Sequence, residues 1–337
     1  MAEHKSADGD GSDFQDRNLA KVEYSPVHNG ADYLLDVVTR LSGQPTPRDL
    51  KYAVLHLQAG TEVLLKARLL QEHWSLIFSN PALANWEEFS RGSLTSCTTR
   101  EAINRLRHIA RVTIDERAEK AIARLADTRN ALQHYGLSMS AMAVEAQAAK
   151  VLDFLLTFIN NHLLPALNHK EAGTVEILMA SIRRELRGIE KLVSTRLNGL
   201  RGTLSSCLDT TVVCPDCAQP ALVIGEPISC LFCYQRWLRP QVAAEQYAWT
   251  VLGQDTEAAM ANGDPSPVRT CPLCEGFALV LHANTAGRKG KGTPLCFGCG
   301  HAFGPLIDCE VCGEVTDMPG WDELPYCAEC ARATFGV

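Results

Sequence analysis

The first half of the chain is dominated by apolar residues that recur every three to four positions, which is the spacing of one face of an α-helix. Short segments rich in proline, glycine, serine or asparagine separate these runs. The pattern predicts helices over Gly30–Leu41, Arg48–Phe78, Thr99–Val112, Ile114–Tyr135, Ser138–Leu164 and Gly173–Leu204. The first five runs together predict an all-α bundle over residues 26–170, so we expect a mainly α protein.

Two segments flank the predicted bundle. Residues 1–25 are polar and lack the apolar stretch of a signal peptide, so we expect a disordered tail. Residues 171–205 contain one predicted amphipathic helix of about 32 residues, or about 48 Å, which we expect to link the bundle to the rest of the chain. Its basic residues are expected to form a solvated face, with contact to RNA or to an acidic neighbour as the alternative. These residues are Arg183, Arg184, Arg187, Lys191, Arg196 and Arg201.

After residue 205 the helical pattern gives way to paired Cys-x-x-Cys motifs. They form three consecutive sets of four: Cys214, Cys217, Cys230 and Cys233; Cys271, Cys274, Cys296 and Cys299; and Cys309, Cys312, Cys327 and Cys330. Two such motifs close a tetrahedral all-sulfur site, so each set predicts one structural zinc ion without an open position for a catalytic water. The sets resemble zinc ribbons, small modules whose metal supplies much of the folding energy.

The spacing of the sets predicts zinc ribbons, each with short β-strands, at residues 206–245, 265–305 and 306–337, with a connector at 246–264. Two cysteines belong to no set. We expect Cys97 to be a buried apolar residue and Cys207 to be a spare thiol.

Composition and charge limit the partners of this protein. The chain is 46% hydrophobic and 21% charged, which is ordinary for a soluble globular protein. It has no apolar run of about 18 residues, so we expect a cytoplasmic protein without a membrane span. Residues 205–337 carry 7 Lys and Arg against 15 Asp and Glu, a net charge of −8. Each four-thiolate zinc site adds a charge of about −2, so three sites bring the net charge to about −14.

Such an acidic surface repels phosphate overall, so we expect the third ribbon to bind a protein partner. One basic loop is the exception, since Arg288, Lys289 and Lys291 lie between the two motifs of the second set. This loop either contacts RNA or is a solvated hairpin tip.

Arg129 and His134 lie in the last two turns of the predicted helix Ile114–Tyr135, which we expect to end at Gly136. At about 100° per residue, the two side chains are about 140° apart around the axis, but a long guanidinium can swing toward a neighbouring imidazole. A cation that holds a phosphate beside a proton-transfer group is what metal-free RNA cleavage requires.

The sequence Arg129-Asn130-x3-His134-Tyr135-Gly136, at the end of a helix in a helix-rich domain, resembles the HEPN ribonuclease family. Its signature is Arg-x4-6-His on the third helix of a four-helix bundle. The resemblance implies a homodimer in which Arg129 polarises the scissile phosphate, His134 acts as general acid or base, and Asn130 orients the phosphate or the histidine. It also implies cleavage of tRNA or other RNA to a 2′,3′-cyclic phosphate, without a catalytic metal, by a bacterial toxin or an antiviral defence effector.

Three more residues are candidates for a supporting role in the implied site. Glu62 and Lys66 are either a surface i,i+4 pair or, as the resemblance implies, polar residues near the site. Tyr135 follows His134 directly, whereas a toxin subgroup modified by a nucleotidyltransferase has its tyrosine two residues after the histidine. We therefore expect the zinc ribbons, and not that modification, to supply regulation.

The alternative function is a non-catalytic, HEPN-like scaffold or sensor that carries zinc ribbons. In that case Arg129 is expected to pair with Asp127 or Glu62, and His134 is expected to cap the C-terminus of its helix.

Overall fold

The computed structural model describes residues 22–288, 290–317 and 325–335. It is mainly helical, with small antiparallel sheets in the second half of the chain. The helices are α1 Pro26–Leu41, α2 Pro47–Glu72, α3 Trp86–Arg91, α4 Thr99–His108, α5 Glu116–His134, α6 Ala141–Phe158, α7 His169–Leu186, α8 Glu190–Ser205, α9 Pro240–Leu252, α10 Thr256–Asn262 and α11 Ala328–Phe335. The strands are β1 Thr211–Val212, β2 Leu222–Val223, β3 Ile228–Cys230, β4 Arg236–Trp237, β5 Val268–Thr270, β6 Phe277–Ala283, β7 Thr293–Cys296, β8 Ile307–Asp308 and β9 Val315–Thr316. The predicted tail lies outside the described residues up to residue 21.

Local sequence explains where the main helices begin. Thr46 and Asp49 form a reciprocal capping box at the start of α2, and Thr98 and Glu101 do the same for α4. The carboxylate of Asp115 accepts the backbone N–H of Ala118 at 2.7 Å and so caps α5. These side chains satisfy backbone donors that have no partner inside the helix.

Helix α2 lies at the centre of the helical region and packs against α1, α4, α5 and α6. Its buried residues include Leu57, Leu64 and Leu65, none of which is exposed. Burying each such side chain contributes about 1.5–3 kcal/mol. Gly30 lets α1 approach α2 closely, because a Cβ at that position would lie 2.4 Å from Leu64 Cδ2.

The predicted single helix Gly173–Leu204 is wrong, since the structure has α7 and α8 with a break after Leu186. Gly188 explains the break. Its carbonyl accepts the N–H of Gly43 at 3.0 Å, and a Cβ at Gly188 would lie 2.1 Å from Ser42 Oγ. The turn between α7 and α8 therefore packs tightly on the turn after α1. Because α7 packs on α1 and α8 packs on α6, the segment belongs to the helical region and is not an extended link.

Each sheet in the second half of the chain consists of strands that are consecutive in the sequence. Strands β1–β4 form one antiparallel sheet, β5–β7 a second and β8–β9 a third. Helix α9 packs against β4, β5 and β6. Its Tyr247 is fully buried, its ring centroid lies 5.3 Å from that of Phe297 with the two rings tilted by 50°, and its hydroxyl accepts the N–H of Asn284 at 3.0 Å. Helix α9 was not predicted from the sequence. It begins before residue 246, where the connector was expected to start, and it packs against the second sheet.

Within the described residues, no helix is both long enough and apolar enough to cross a membrane.

Candidate functional site

The three sets of four cysteines each converge on a point. We call them cluster 1 (Cys214, Cys217, Cys230 and Cys233), cluster 2 (Cys271, Cys274, Cys296 and Cys299) and cluster 3 (Cys309, Cys312, Cys327 and Cys330), and within each the sulfur atoms lie within 4.8 Å of one another. The closest sulfur pairs are 3.7 to 3.9 Å apart. A tetrahedral ion with metal–sulfur bonds of about 2.3 Å would hold its sulfur atoms about 3.8 Å apart. The three clusters therefore have the dimensions of four-sulfur metal sites.

Each Cys-x-x-Cys motif folds into the same tight turn. The N–H of the residue after the second cysteine donates to the carbonyl of the first, as Ala218 does to Cys214 at 2.9 Å. In five of the six turns that residue has a positive φ: Ala218, Tyr234, Glu275, Gly300 and Gly313. A positive φ is unfavourable for residues other than glycine. The turn therefore imposes a costly backbone conformation on Ala218, Tyr234 and Glu275. In the sixth turn, Ala331 belongs to α11.

The surroundings of the thiols differ between clusters. Burial raises the pKa of Cys230 in cluster 1 and of Cys271 in cluster 2. In cluster 3, the backbone N–H of Cys312 is the main cause that lowers the pKa of Cys309 to about 6. A metal ligand must be a thiolate, so metal binding displaces protons from the buried thiols and its affinity falls as the pH is lowered.

Cluster 1 is joined to the helices by Arg196, which the sequence analysis placed on a solvated face. The solvated face is wrong for Arg196, which is only 4% exposed, and the stated alternative of an acidic neighbour is confirmed for it by the ion pair with Asp153. Its Nε donates to the carbonyl of Phe232 at 2.5 Å, and Phe232 lies between two cysteines of cluster 1. Its Nη1 donates to Asp153 Oδ1 on α6 at 2.5 Å. The guanidinium also stacks on the ring of Tyr234, 4.6 Å from the centroid.

Arg183 makes a second connection and is also buried at 4% exposure, against the same expectation. It forms an ion pair with Glu176, and its Nε lies 3.5 Å from Asp216 Oδ2, between the first two cysteines of cluster 1. Asp216 accepts from Gln246 of α9 at 2.9 Å, and Gln246 in turn accepts from Trp237 Nε1 at 2.9 Å. Two buried arginines thus fix cluster 1 to α6, α7 and α8.

Helix α5 carries the predicted Arg/His motif and ends as expected. It runs to His134, and Gly136 follows with a φ of +89° while its N–H donates to the carbonyl of Ala131 at 2.7 Å. Inward-facing residues fix the rotation of the helix about its axis. Thr128 is buried and accepts from Gln147 of α6 at 3.0 Å, and Ala131 is also buried.

The candidate side chains Arg129, Asn130 and His134 lie on the sides of α5 that do not face the core. Asn130 and His134 are exposed and share one face of the helix, being four residues apart. Arg129 is half-buried, and its Nη1 donates to Asn130 Oδ1 at 2.9 Å. This hydrogen bond draws the guanidinium toward the face that holds His134. Tyr135 is 80% exposed.

None of the carboxylates in the described part of the chain forms an ion pair with Arg129 or His134. Glu62 pairs with Lys66, whose Nζ also donates to Ser96 Oγ at 2.8 Å. Across the residues that the structure describes, no hydrogen bond or ion pair joins Glu62 or Lys66 to the Arg/His motif.

The first residues of the basic loop in the second cysteine set are hydrogen-bonded to the backbone at the start of the first sheet. The N–H of Ala286 donates to the carbonyl of Thr211 at 2.8 Å, and the N–H of Gly287 donates to that of Leu208 at 3.0 Å. Arg288 and Lys291 are exposed, and Lys289 lies outside the described residues. The loop is therefore held against the first sheet and presents Arg288 and Lys291 to solvent.

A histidine–carboxylate pair on α1 and α2 had no assigned role in the sequence analysis. His56 Nδ1 and Arg40 Nε each lie 2.6 Å from Asp36 Oδ2. Burial alone would raise the pKa of Asp36, but these two hydrogen bonds outweigh it and lower the pKa. No sequence motif marks the pair, because its members are 20 residues apart on different helices.

Of the two cysteines outside the clusters, Cys97 is buried, and Cys207 is partly buried beside Thr211. Comparison with protein-family models, with curated proteins and with solved structures finds no match to this chain in any of the three.

Proposed function

We propose that this protein is a metal-independent endoribonuclease of the HEPN type, in which Arg129 and His134 carry out the reaction. The hydrogen bond from Arg129 to Asn130 is the observation that carries the proposal, because it brings a cation free of carboxylates to the face of α5 that holds an exposed histidine. The scaffold alternative predicted that Arg129 pairs with Asp127 or Glu62. In the part of the chain that the structure describes, it pairs with neither.

In the proposed reaction the 2′-oxygen of a ribose attacks the adjacent phosphorus, and the bond to the 5′-oxygen of the next nucleotide breaks. A proton leaves the 2′-OH, and a proton joins the departing 5′-oxygen. His134 performs one of these transfers as general base or general acid. Arg129 stabilises the negative charge that grows on the phosphate, and Asn130 holds the guanidinium in place. The products end in a 2′,3′-cyclic phosphate and a 5′-OH.

A second copy of the chain completes the proposed cleft. The segment that follows α5 exposes four apolar side chains to solvent: Tyr135, Leu137, Met139 and Met142. Contiguous exposed apolar side chains are typical of interaction sites. Pairing two copies through this segment covers the apolar side chains and brings two Arg/His motifs together. The proposed dimer therefore has a composite active site.

We further propose that the three clusters bind zinc and are structural zinc ribbons. A full set of four sulfur ligands leaves no position for a reacting water, so the clusters support folding and partner binding and not the chemistry. Arg288 and Lys291 of the docked basic loop are proposed to contact the RNA backbone together with Lys289. The acidic third ribbon is proposed to bind a regulatory protein, and the setting is a cytoplasmic toxin or antiviral effector that cuts tRNA or another RNA.

The test is cleavage of total tRNA and of a generic single-stranded RNA by the zinc-loaded protein in buffer free of magnesium and manganese. We expect wild type to cleave, and we expect Arg129→Ala and His134→Ala each to lower the rate at least a hundredfold, in line with the loss of a charge-stabilising donor or of a proton-transfer group.

Arg124→Ala and His169→Ala are the matched controls, since both side chains are exposed and lie outside the motif. These variants should cleave at the wild-type rate. Absence of cleavage by a dimeric, zinc-loaded wild type would favour the scaffold function, and equal activity of all variants would exclude the Arg/His mechanism.

A further inference from the structure

The three clusters differ in how far their cysteines are exposed. All four cysteines of cluster 1 are buried. In cluster 2, Cys271 and Cys296 are buried while Cys274 and Cys299 are exposed. In cluster 3 only Cys309 is buried. The number of cysteines that are not buried therefore rises from none in cluster 1 to two in cluster 2 and three in cluster 3, and attack by a thiol reagent requires such access to the sulfur atom.

The geometry of the closest sulfur pairs distinguishes cluster 3 from cluster 2. In cluster 2, each closest pair joins one exposed and one buried cysteine, namely Cys274 to Cys296 at 3.7 Å and Cys271 to Cys299 at 3.9 Å. In cluster 3, the sulfur atoms of Cys312 and Cys327 are 3.9 Å apart, and neither residue is buried. A reagent can therefore reach either sulfur of that pair.

Cluster 3 also has less support from the rest of the protein. Cluster 1 belongs to the main hydrophobic core and is held by Arg196. Cluster 3 rests on the two-residue strands β8 and β9, and Val315 of β9 packs in a small separate core that also holds Cys271 and Cys296 of cluster 2; among the residues described, no cysteine of cluster 3 belongs to either core. Arg269 ties it to the second sheet by donating to Asp308 Oδ1 at 3.0 Å and to the carbonyl of Gly313. Local opening of cluster 3 thus leaves the main core intact.

We propose that cluster 3 is a thiol-modification site, at which a peroxide oxidises Cys312 and Cys327 to a disulfide. One thiolate attacks a peroxide oxygen, the O–O bond breaks, and a sulfenic acid and hydroxide form. The second thiolate then attacks that sulfur, an S–S bond forms, and a second hydroxide leaves. Two thiolates lose two electrons and the peroxide gains them, so no other oxidant is needed. Two ligands are thereby removed from cluster 3 alone.

This inference rests on metal binding by the clusters but not on the proposed nuclease activity. The test therefore begins by counting zinc in the full chain, where three equivalents are expected. The protein is then titrated with hydrogen peroxide. Released zinc is measured with a chromogenic chelator, and disulfides are located by peptide mass spectrometry after alkylation of the free thiols.

We expect the first equivalent of zinc to leave together with formation of a Cys312–Cys327 disulfide, while clusters 1 and 2 keep their metal. A thiol reductant with added zinc should restore three equivalents. Simultaneous loss of all three equivalents, or a first disulfide in cluster 1 or 2, would overturn the proposal. A zinc count below three before oxidation would instead contradict metal binding itself.

Two variants sharpen the test. Cys312→Ser should remove the peroxide-sensitive equivalent and leave two that resist oxidation. Cys207→Ser is the control, because Cys207 is partly buried and belongs to no cluster, and its release curve should match wild type. If Cys312→Ser disturbs the fold, the rates at which a maleimide alkylates each cysteine of the wild type decide the matter. These alkylation rates should be at least tenfold higher at Cys312 and Cys327 than at any cysteine of cluster 1.

Discussion

Arg196→Ala should destabilise the protein because it removes the buried connection between α8, α6 and cluster 1. The lost contacts are the hydrogen bonds to the carbonyl of Phe232 and to Asp153, both 2.5 Å long, and the stacking on Tyr234. Removing one partner of a buried ion pair costs about 3–5 kcal/mol. The side chain of Asp153 is 39% exposed and can be rehydrated, which places the cost at the lower end of that range. We expect a loss of about 3 kcal/mol, most of it from the carbonyl that is left without its charged donor.

The assay is urea denaturation of the zinc-loaded protein, followed by tryptophan fluorescence. Arg201→Ala is the matched control, since Arg201 is an exposed arginine on the same helix and, among the described residues, its side chain hydrogen-bonds only to Asn198, at 2.8 Å. Its effect should stay within about 0.5 kcal/mol. Asp153→Asn combined with Arg196→Ala should give less than the sum of the two single losses, because both changes remove the same interaction.

A further expected effect of Arg196→Ala lies in cluster 1. Phe232 stands between Cys230 and Cys233, so these thiols should react faster with an alkylating reagent when the arginine is removed. If Arg196→Ala cost no more than Arg201→Ala, and if alkylation of cluster 1 were unchanged, the arginine would not hold the cluster to the helices.

The remaining predictions concern packing and titration. Gly30→Ala should destabilise by about 1–3 kcal/mol, because the added Cβ would overlap Leu64, whereas Gly173→Ala should stabilise by about 0.5–1 kcal/mol, because a Cβ in α7 would meet nothing within 4 Å. Equal shifts in thermal midpoint for these two variants would contradict the packing between α1 and α2. Asp36→Asn should cost about 0.5–1 kcal/mol at pH 7. The lowered pKa of Asp36 means that its stabilisation is present above the unfolded pKa and is lost as the pH falls through the folded pKa, so the difference between the two proteins in urea titrations should shrink as the pH falls through that range. Zinc retention measured against pH should fall on acidification, and retention that is independent of pH down to about pH 4 would contradict thiolate ligation.

The sequence predicted the motif helix well because its signals are local. Gly136 marks the end of α5, as predicted, and the apolar spacing of Ile122 and Leu125 marks the buried face; the predicted start at Ile114 is two residues early, because Asp115 caps the helix at Glu116. The cysteine clusters were equally predictable from the sequence, because each motif is a local turn and the motifs of each set follow one another along the chain. In these two cases short-range sequence determines the structure.

The break between α7 and α8 could not be predicted from the local sequence. The apolar stripe continues past Gly188, and the helix stops there because the turn packs on Ser42 and Gly43, which are far away in the sequence. The buried state of Arg183 and Arg196 has the same origin. Arg183 has its partners in its own helix and in the first cysteine set, whereas Arg196 has its partners on α6 and in the first cysteine set, so helical periodicity alone placed both in solvent.

The candidate RNA-cleavage site was identifiable from sequence only as far as a single helix allows. The five-residue spacing of Arg129 and His134 left open whether the two side chains face one cleft. The hydrogen bond from Arg129 to Asn130, which brings the guanidinium toward the face that holds His134, is seen only in the structure. The second protomer that the proposed cleft needs depends on the exposed apolar segment after α5, whose exposure is a property of the folded chain.

The proposed nuclease activity is tested most directly by mass spectrometry of the fragments that the zinc-loaded protein produces from a defined RNA in buffer without magnesium or manganese. We expect fragments that end in a 2′,3′-cyclic phosphate and begin with a 5′-OH, and we expect none of them with His134→Ala. Fragments with a 3′-OH and a 5′-phosphate, or the same fragments from wild type and His134→Ala, would contradict it.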